Sequence, residues 1–152
     1  MHLTTLTDYS MRLLMYVARH PDRLCTIAEI ADAYGISAAH LMKVTHQLGL
    51  AGWIETVRGK GGGMRLAHAP DAIRLGDVVR SVEPDFRMVE CFDKSGVNDC
   101  RLDGHCRLSG ILEGALQDFL GHLDRYTLAD ILSPPPDALS LQTAEAVLRR
   151  FR

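Results

Sequence analysis

Residues 26–67, TIAEIADAYGISAAHLMKVTHQLGLAGWIETVRGKGGGMRLA, leave a chain few ways to fold. Thr26 stands where it can cap a short helix, with Glu29 three residues later as in a capping box. Gly35 stops that helix in a tight turn, and Ser37 caps the next. Leu41, Val44 and Leu48 form the inner face of the second helix, with Met42 beside them, and Gly49 and Gly52 loosen its end. The interval between the helices is the short kind expected of a helix-turn-helix. Trp53, Ile54 and Val57 then lead into RGKGGG, after which Met64 and Leu66 alternate with Arg65. Strand, glycine-rich turn and returning strand make a β-hairpin. A hairpin directly after a helix-turn-helix is the wing of a winged helix, and this order suits no sheet-based enzyme fold.

The flanks supply helices. TDYSMRLLMYVAR, 7–19, carries a stripe of Tyr9, Leu13, Tyr16 and Val17 with Thr7 as its cap, and HPD at 20–22 ends it. Pro70 opens a segment with a helix from about Leu75 to Val82, stopped before Pro84. From Cys106 onward Leu108, Ile111, Leu112, Ala115, Leu116, Phe119, Leu120 and Leu123 recur at helical spacing. That stripe can pack on a second subunit or on the chain's own N-terminal helices. Ser133 and Pro134–Pro136 form a stiff break before a tail that is either a further amphipathic helix or frayed. The expected fold is mainly α with a small β-hairpin. A winged helix-turn-helix DNA-binding domain fills 1–84, with reader helices at about 26–50 and the wing at about 53–68. A cysteine loop follows at 85–106, then a long dimerisation helix at 107–132, then the break and tail at 133–152.

At 152 residues there is room for one domain. Residues 1–80 hold nine Lys/Arg against seven Asp/Glu, whereas 81–152 hold eight against twelve. A local nucleic-acid face is therefore permitted without general basicity. No apolar run approaches the ~18 residues of a membrane span, and the N-terminus lacks the features of a secretory signal. The expected location is the cytoplasm, away from membranes. Structural disulfides are disfavoured there, so clustered cysteines point to metal or redox chemistry.

A reader helix needs small or polar groups where it enters the major groove. Ser37, Ala38, Ala39 and His40 supply them, with Lys43 a turn later and His46 and Gln47 beyond. On the wing, Arg58, Lys60 and Arg65 flank Gly61, Gly62 and Gly63, so cations can meet phosphate while bare backbone runs close to a groove. Arg58, Lys60 and Arg65 taken singly read as hairpin solubilisers; their place after a helix-turn-helix favours DNA. RGKGGG lacks P-loop spacing, and no nucleophile and base converge, so no enzyme is expected.

Cys91-x8-Cys100-x5-Cys106 offers three soft ligands on one segment, one short of the four that tetrahedral iron or zinc takes. The fourth can be His105, a nearby aspartate or a group from a partner chain. A reversible dithiol switch is a further reading. Cys25, beside Leu24 and Ile27, reads as a buried, inert thiol.

Longer matches carry a resemblance: LTxxxDY at 3–9, LxxAGxI at 48–54, VRGKGGGMRLA at 57–67, AIRLGDVVRxVEP at 72–84, and CRLxxxLxxAxxxFLxxLDxYTLADI at 106–131. With the three cysteines, the chain resembles a family of small winged-helix iron–sulfur transcription regulators over nearly its whole length before the tail. The resemblance implies a homodimer on a palindromic promoter, with an iron–sulfur cluster, [4Fe-4S] or [2Fe-2S], on Cys91, Cys100 and Cys106. It further implies Asp8 of the other subunit as fourth ligand; without it, Asp8 reads as a first-turn acid favoured by the helix dipole. The branch that regulates cluster assembly has histidine three residues after its last cysteine, where Ser109 stands here. That points to the nitric-oxide-sensing repressors, which release DNA when nitric oxide nitrosylates the cluster. The eight residues between Cys91 and Cys100 exceed the family's usual spacing, which brings His105, Asp99 and Asp93 forward as alternative ligands. A zinc- or thiol-based DNA-binding regulator and a small electron-transfer protein are the competing readings.

Overall fold

The computed structural model describes residues 3–92, 100, 102 and 105–132. The N-terminal helix α1 spans Thr5–Ala18, and α2 (Ile27–Tyr34) and α3 (Ala38–Leu50) form the helix-turn-helix. The hairpin strands are β1 (Ile54–Val57) and β2 (Gly63–Leu66), followed by a 3-10 turn at Pro70–Ala72 and α4 (Leu75–Val82). A second 3-10 turn at Glu90–Phe92 precedes α5 (Arg107–Leu123) and the short α6 (Leu128–Leu132). This is the expected mainly helical, winged architecture.

Local chemistry sets the reader. Thr26 Oγ1 accepts from the Glu29 amide at 3.3 Å, and Ser37 Oγ accepts from the His40 amide at 3.3 Å, so both helix starts are capped. Gly35 at φ 63° supplies the left-handed residue that ends α2. The hairpin is antiparallel, pairing Ile54 with Leu66 and Val57 with Gly63. Cys25 adds a bridge on its other side: its amide donates to the Met64 carbonyl at 2.9 Å and its carbonyl accepts from Met64 N–H at 2.8 Å. Leu13, Leu14, Ile30, Leu41, Leu48, Ile73 and Leu128 are fully buried together, so α1 is the central post and α6 closes the same core.

Three expectations change. First, α1 begins at Thr5, after Thr4, and Thr7 is no cap; its buried hydroxyl donates to Glu83. Second, Met42 leaves the inner face and is 56% exposed, because α3 turns Leu41, Val44 and Leu48 toward α1. Third, the 107–132 helix divides: α5 stops at Leu123, and the chain turns so that Leu128 N–H donates to the Ile73 carbonyl at 2.8 Å. The α5 stripe, open between a second subunit and the chain's own helices, buries Leu116 and Leu120 against Val79 and leaves Leu108 57% and Ile111 67% exposed. The tail at 133–152, Asp93 and Asp99 lie outside the described residues.

The end of α5 is held by Arg80, whose Nη1 and Nη2 both donate to the Asp124 carboxylate at 2.6 Å. Gly76 is what allows that approach, since a Cβ there would collide with Asp124. Among the described residues no helix is long and apolar enough to cross a membrane.

Candidate DNA interface and metal centre

Ser37, Ala38, Ala39, His40 and Lys43 all lie exposed on the N-terminal half of α3. The His40 ring sits 6.0 Å from that of Tyr9, so α1 supports the start of the reader. On the wing Arg58 and Lys60 are exposed, but Arg65 is engaged. Its Nη2 lies 2.7 Å from Glu55 Oε2, and its Nε donates to the same oxygen at 2.9 Å, across the Glu55–Arg65 register pair. Sequence reasoning missed that partner, although an acid opposite a base in a hairpin is a legible signal.

The wing glycines also have reasons inside the hairpin. Gly61 has φ 77°, a Cβ at Gly62 would run into the Val57 carbonyl, and one at Gly63 would stand 2.6 Å from the Cys25 carbonyl. Trp53 Nε1 donates to Ser81 Oγ at 2.8 Å, and Ser81 Oγ donates to the Val78 carbonyl at 2.7 Å, pinning the wing base to α4.

Cys91 sits on the Glu90–Phe92 turn and Cys106 immediately before α5, where Ser109 Oγ donates to the Cys106 carbonyl at 2.8 Å. Cys91, Cys100 and Cys106 are each half-buried, and none forms a disulfide. His105 is exposed. Among the described residues no three of His, Cys, Asp and Glu converge at metal-holding distance. The donor chemistry still suits an iron–sulfur cluster, which takes thiolates, and a cavity of about 450 Å³ opens beside Cys91 between the 85–92 segment and α5. Cys25 is different: burial first, and then nearby Glu29, push its thiol up from the ordinary range, opposing the thiolate a metal needs.

Asp8 is exposed on the first turn of α1, where its Oδ2 lies 2.9 Å from Arg12 Nη2 and its Oδ1 accepts from Arg12 Nε at 3.0 Å. It faces solvent, away from this chain's buried core. Glu83, which no sequence signal singled out, ties the Asp8-bearing turn to the end of α4. Its buried Oε1 accepts from Thr4 N–H at 2.7 Å, Thr4 Oγ1 at 3.2 Å and Thr7 Oγ1 at 2.5 Å.

The profile of the Rrf2 family, described as iron-dependent transcriptional regulators, matches residues 3–134. The HTH-type transcriptional regulator NsrR of Shouchella clausii is 45% identical over 142 residues, 93% of this chain and 95% of that protein. NsrR of Halalkalibacterium halodurans is 48% identical over 134 residues, covering 88% and 91% of the two chains. NsrR of Bacillus subtilis is 46% identical over 142 residues, covering 93% and 97%. Among solved structures, IscR of T. potens superposes with a TM-score of 0.71 at 26% identity, covering 92% of each chain. CymR of B. subtilis superposes at 0.66 with 24% identity over 87% and 96%, a likeness of fold alone.

Proposed function

The chain belongs to the Rrf2 family of DNA-binding transcriptional regulators and is not an enzyme, and we propose that it is a nitric-oxide-responsive repressor acting as a homodimer on palindromic promoter DNA. The observation that carries this reading is the joining, in one chain, of an exposed reader helix and cationic wing to a segment with three half-buried thiols. Near-full-length identity to proteins named NsrR supports the nitric oxide branch.

Ser37, Ala38, Ala39, His40 and Lys43 bring α3 into the major groove, and its capped N-terminus points amides at phosphate. Arg58 and Lys60 hold the adjacent backbone, with Gly61, Gly62 and Gly63 keeping the wing tip low; Arg65 contributes through its pair with Glu55. Cys91, Cys100 and Cys106 would hold an iron–sulfur cluster together with Asp8 of the partner subunit, which would give up its Arg12 contact to do so. When bound, the cluster supplies iron open to nitric oxide, the more so where a hard carboxylate is the fourth ligand. Asp8 then couples α1 of one subunit to the cysteine segment of the other. Because α1 also braces the reader through Tyr9 and His40, release of Asp8 frees the spacing of the two readers. Half-sites about one helical turn apart no longer fit, and the equilibrium moves away from the DNA-bound state. The exposed Leu108 and Ile111 face of α5 is the surface two copies share.

Anaerobic purification with iron and sulfide quantitation, followed by promoter retardation before and after nitric oxide, tests this reading. Brown protein that binds DNA and releases it on nitrosylation is the expected result. Equal binding in both states overturns it. A second reading, a zinc- or thiol-based DNA-binding regulator, draws on the same three half-buried thiols, Cys91, Cys100 and Cys106. Colourless protein with stoichiometric zinc, or with none, would select it.

A further inference from the structure

We propose that Met42 reads a thymine methyl group in the major groove, making it a specificity-determining residue of the DNA interface. The inference rests on the DNA-binding reading above and deepens it.

Met42 follows Ala38 by four residues and Ala39 by three, so it shares their face of α3, opposite the buried Leu41, Val44 and Leu48. Its neighbours Ala38 and Ala39 add almost no bulk, which lets the helix sink into a groove until a longer side chain meets the base edges. Met42 is that side chain, and it is apolar. It is not isolated. Leu50, 71% exposed, and Val57, 46% exposed, line with it the concave surface between α3 and β1.

The rim of that surface identifies its occupant. Arg58 stands on it with the imidazole of His46, and its one acid, Glu55, is paired with Arg65, which leaves the Arg58 charge unopposed there; Lys43 lies on the other side of α3, toward Tyr9. A cationic rim around an apolar floor suits a polyanion that presents an apolar group. Duplex DNA is such a ligand, and the thymine C5-methyl is the apolar group its major groove displays. A thioether on three rotatable bonds can follow the groove floor and contact that methyl without demanding a hydrogen bond. No polar residue in the reader does this, since Lys43, His46 and Gln47 address acceptors and donors. A protein partner seated on the same patch is the alternative that the test separates.

The test uses duplexes selected from a random pool by the anaerobically purified full-length protein. In those duplexes each thymine is replaced in turn by uracil, which removes only the methyl. Wild-type protein should lose about fourfold in affinity per half-site at one position, as expected for one buried methyl group. Met42→Ala should bind the parent duplex about equally weakly and show no further loss with uracil there. Met42→Leu should restore part of the discrimination, and Lys43→Ala should keep it while lowering the salt slope. Because Met42 is exposed, Met42→Ala should fold, which an unchanged thermal melt verifies. Identical uracil penalties in wild type and Met42→Ala overturn the inference while leaving DNA binding intact. Failure to select any duplex overturns the DNA-binding reading itself.

Discussion

Replacing Glu83 by alanine should destabilise the protein by about 2–4 kcal/mol, a large part of the 5–15 kcal/mol typical of a domain. Three donors converge on one buried carboxylate oxygen, from Thr4 N–H, Thr4 Oγ1 and Thr7 Oγ1. Their fates differ when it is removed. Thr4 is half-buried, so water can replace the carboxylate at its two donors at modest cost. Thr7 is buried, and leaving its hydroxyl without an acceptor costs about 1–3 kcal/mol, to which the missing charge-assisted bonds add. Glu83→Gln retains an acceptor of the same reach and should cost only about 1 kcal/mol. Urea unfolding of the apoprotein, followed through the chain's one tryptophan, Trp53, measures both, provided the m-value is unchanged. A Thr7→Val, Glu83→Ala cycle isolates the shared bond, and its coupling should exceed about 0.5 kcal/mol. An Ala variant within about 0.5 kcal/mol of wild type, or additive double-mutant effects, would refute the reasoning. Since Thr4 and Thr7 lie on the turn that carries Asp8, Glu83→Ala should also shorten cluster retention under air.

Other perturbations probe separate links. Gly76→Ala forces a methyl group into the space the Asp124 side chain occupies, and this overpacking should cost about 1–3 kcal/mol by thermal melting. The hydrogen bond from Arg80 holds the Asp124 carboxyl below its ordinary range, and the Thr127 amide, then its hydroxyl, does the same for Asp130. A depressed folded pKa adds stability that is present above the usual carboxylate pKa and is lost as pH falls through the folded value. Urea midpoints should therefore drop on acidification below the ordinary value of 3.8, and Asp124→Asn should flatten that loss. Arg58→Ala with Lys60→Ala should weaken duplex binding and reduce the log–log salt slope by about 0.9 for each phosphate no longer neutralised. An unchanged slope in a salt titration would remove the wing from the interface.

Winged folds announce themselves in sequence because their signals are local. Thr26, Gly35 and Ser37 decide where helices begin and stop through interactions within three or four residues, so they could be read directly. The three wing glycines were equally visible, but their reasons were not. Gly63 is small because the Cys25 backbone lies against it, 38 residues earlier in the chain. Likewise the α5 stripe was plain from its period, yet its division before Leu128 depended on the Ile73 carbonyl waiting for that amide.

By itself the sequence determined the helix-turn-helix, the hairpin, the long amphipathic helix and the three thiols on one segment, since each follows from short-range caps, turns and periodicity. The tertiary structure alone decided that Met42, beside the inner face that Leu41, Val44 and Leu48 form, turns outward. It also decided that Arg65 answers Glu55, that Arg80 holds Asp124, and that Glu83 gathers Thr4 and Thr7 from 79 and 76 residues away. Such pairings are chosen when helices dock, because a buried carboxylate must find its donors among whatever packing brings to it. No spacing rule along the chain encodes that choice.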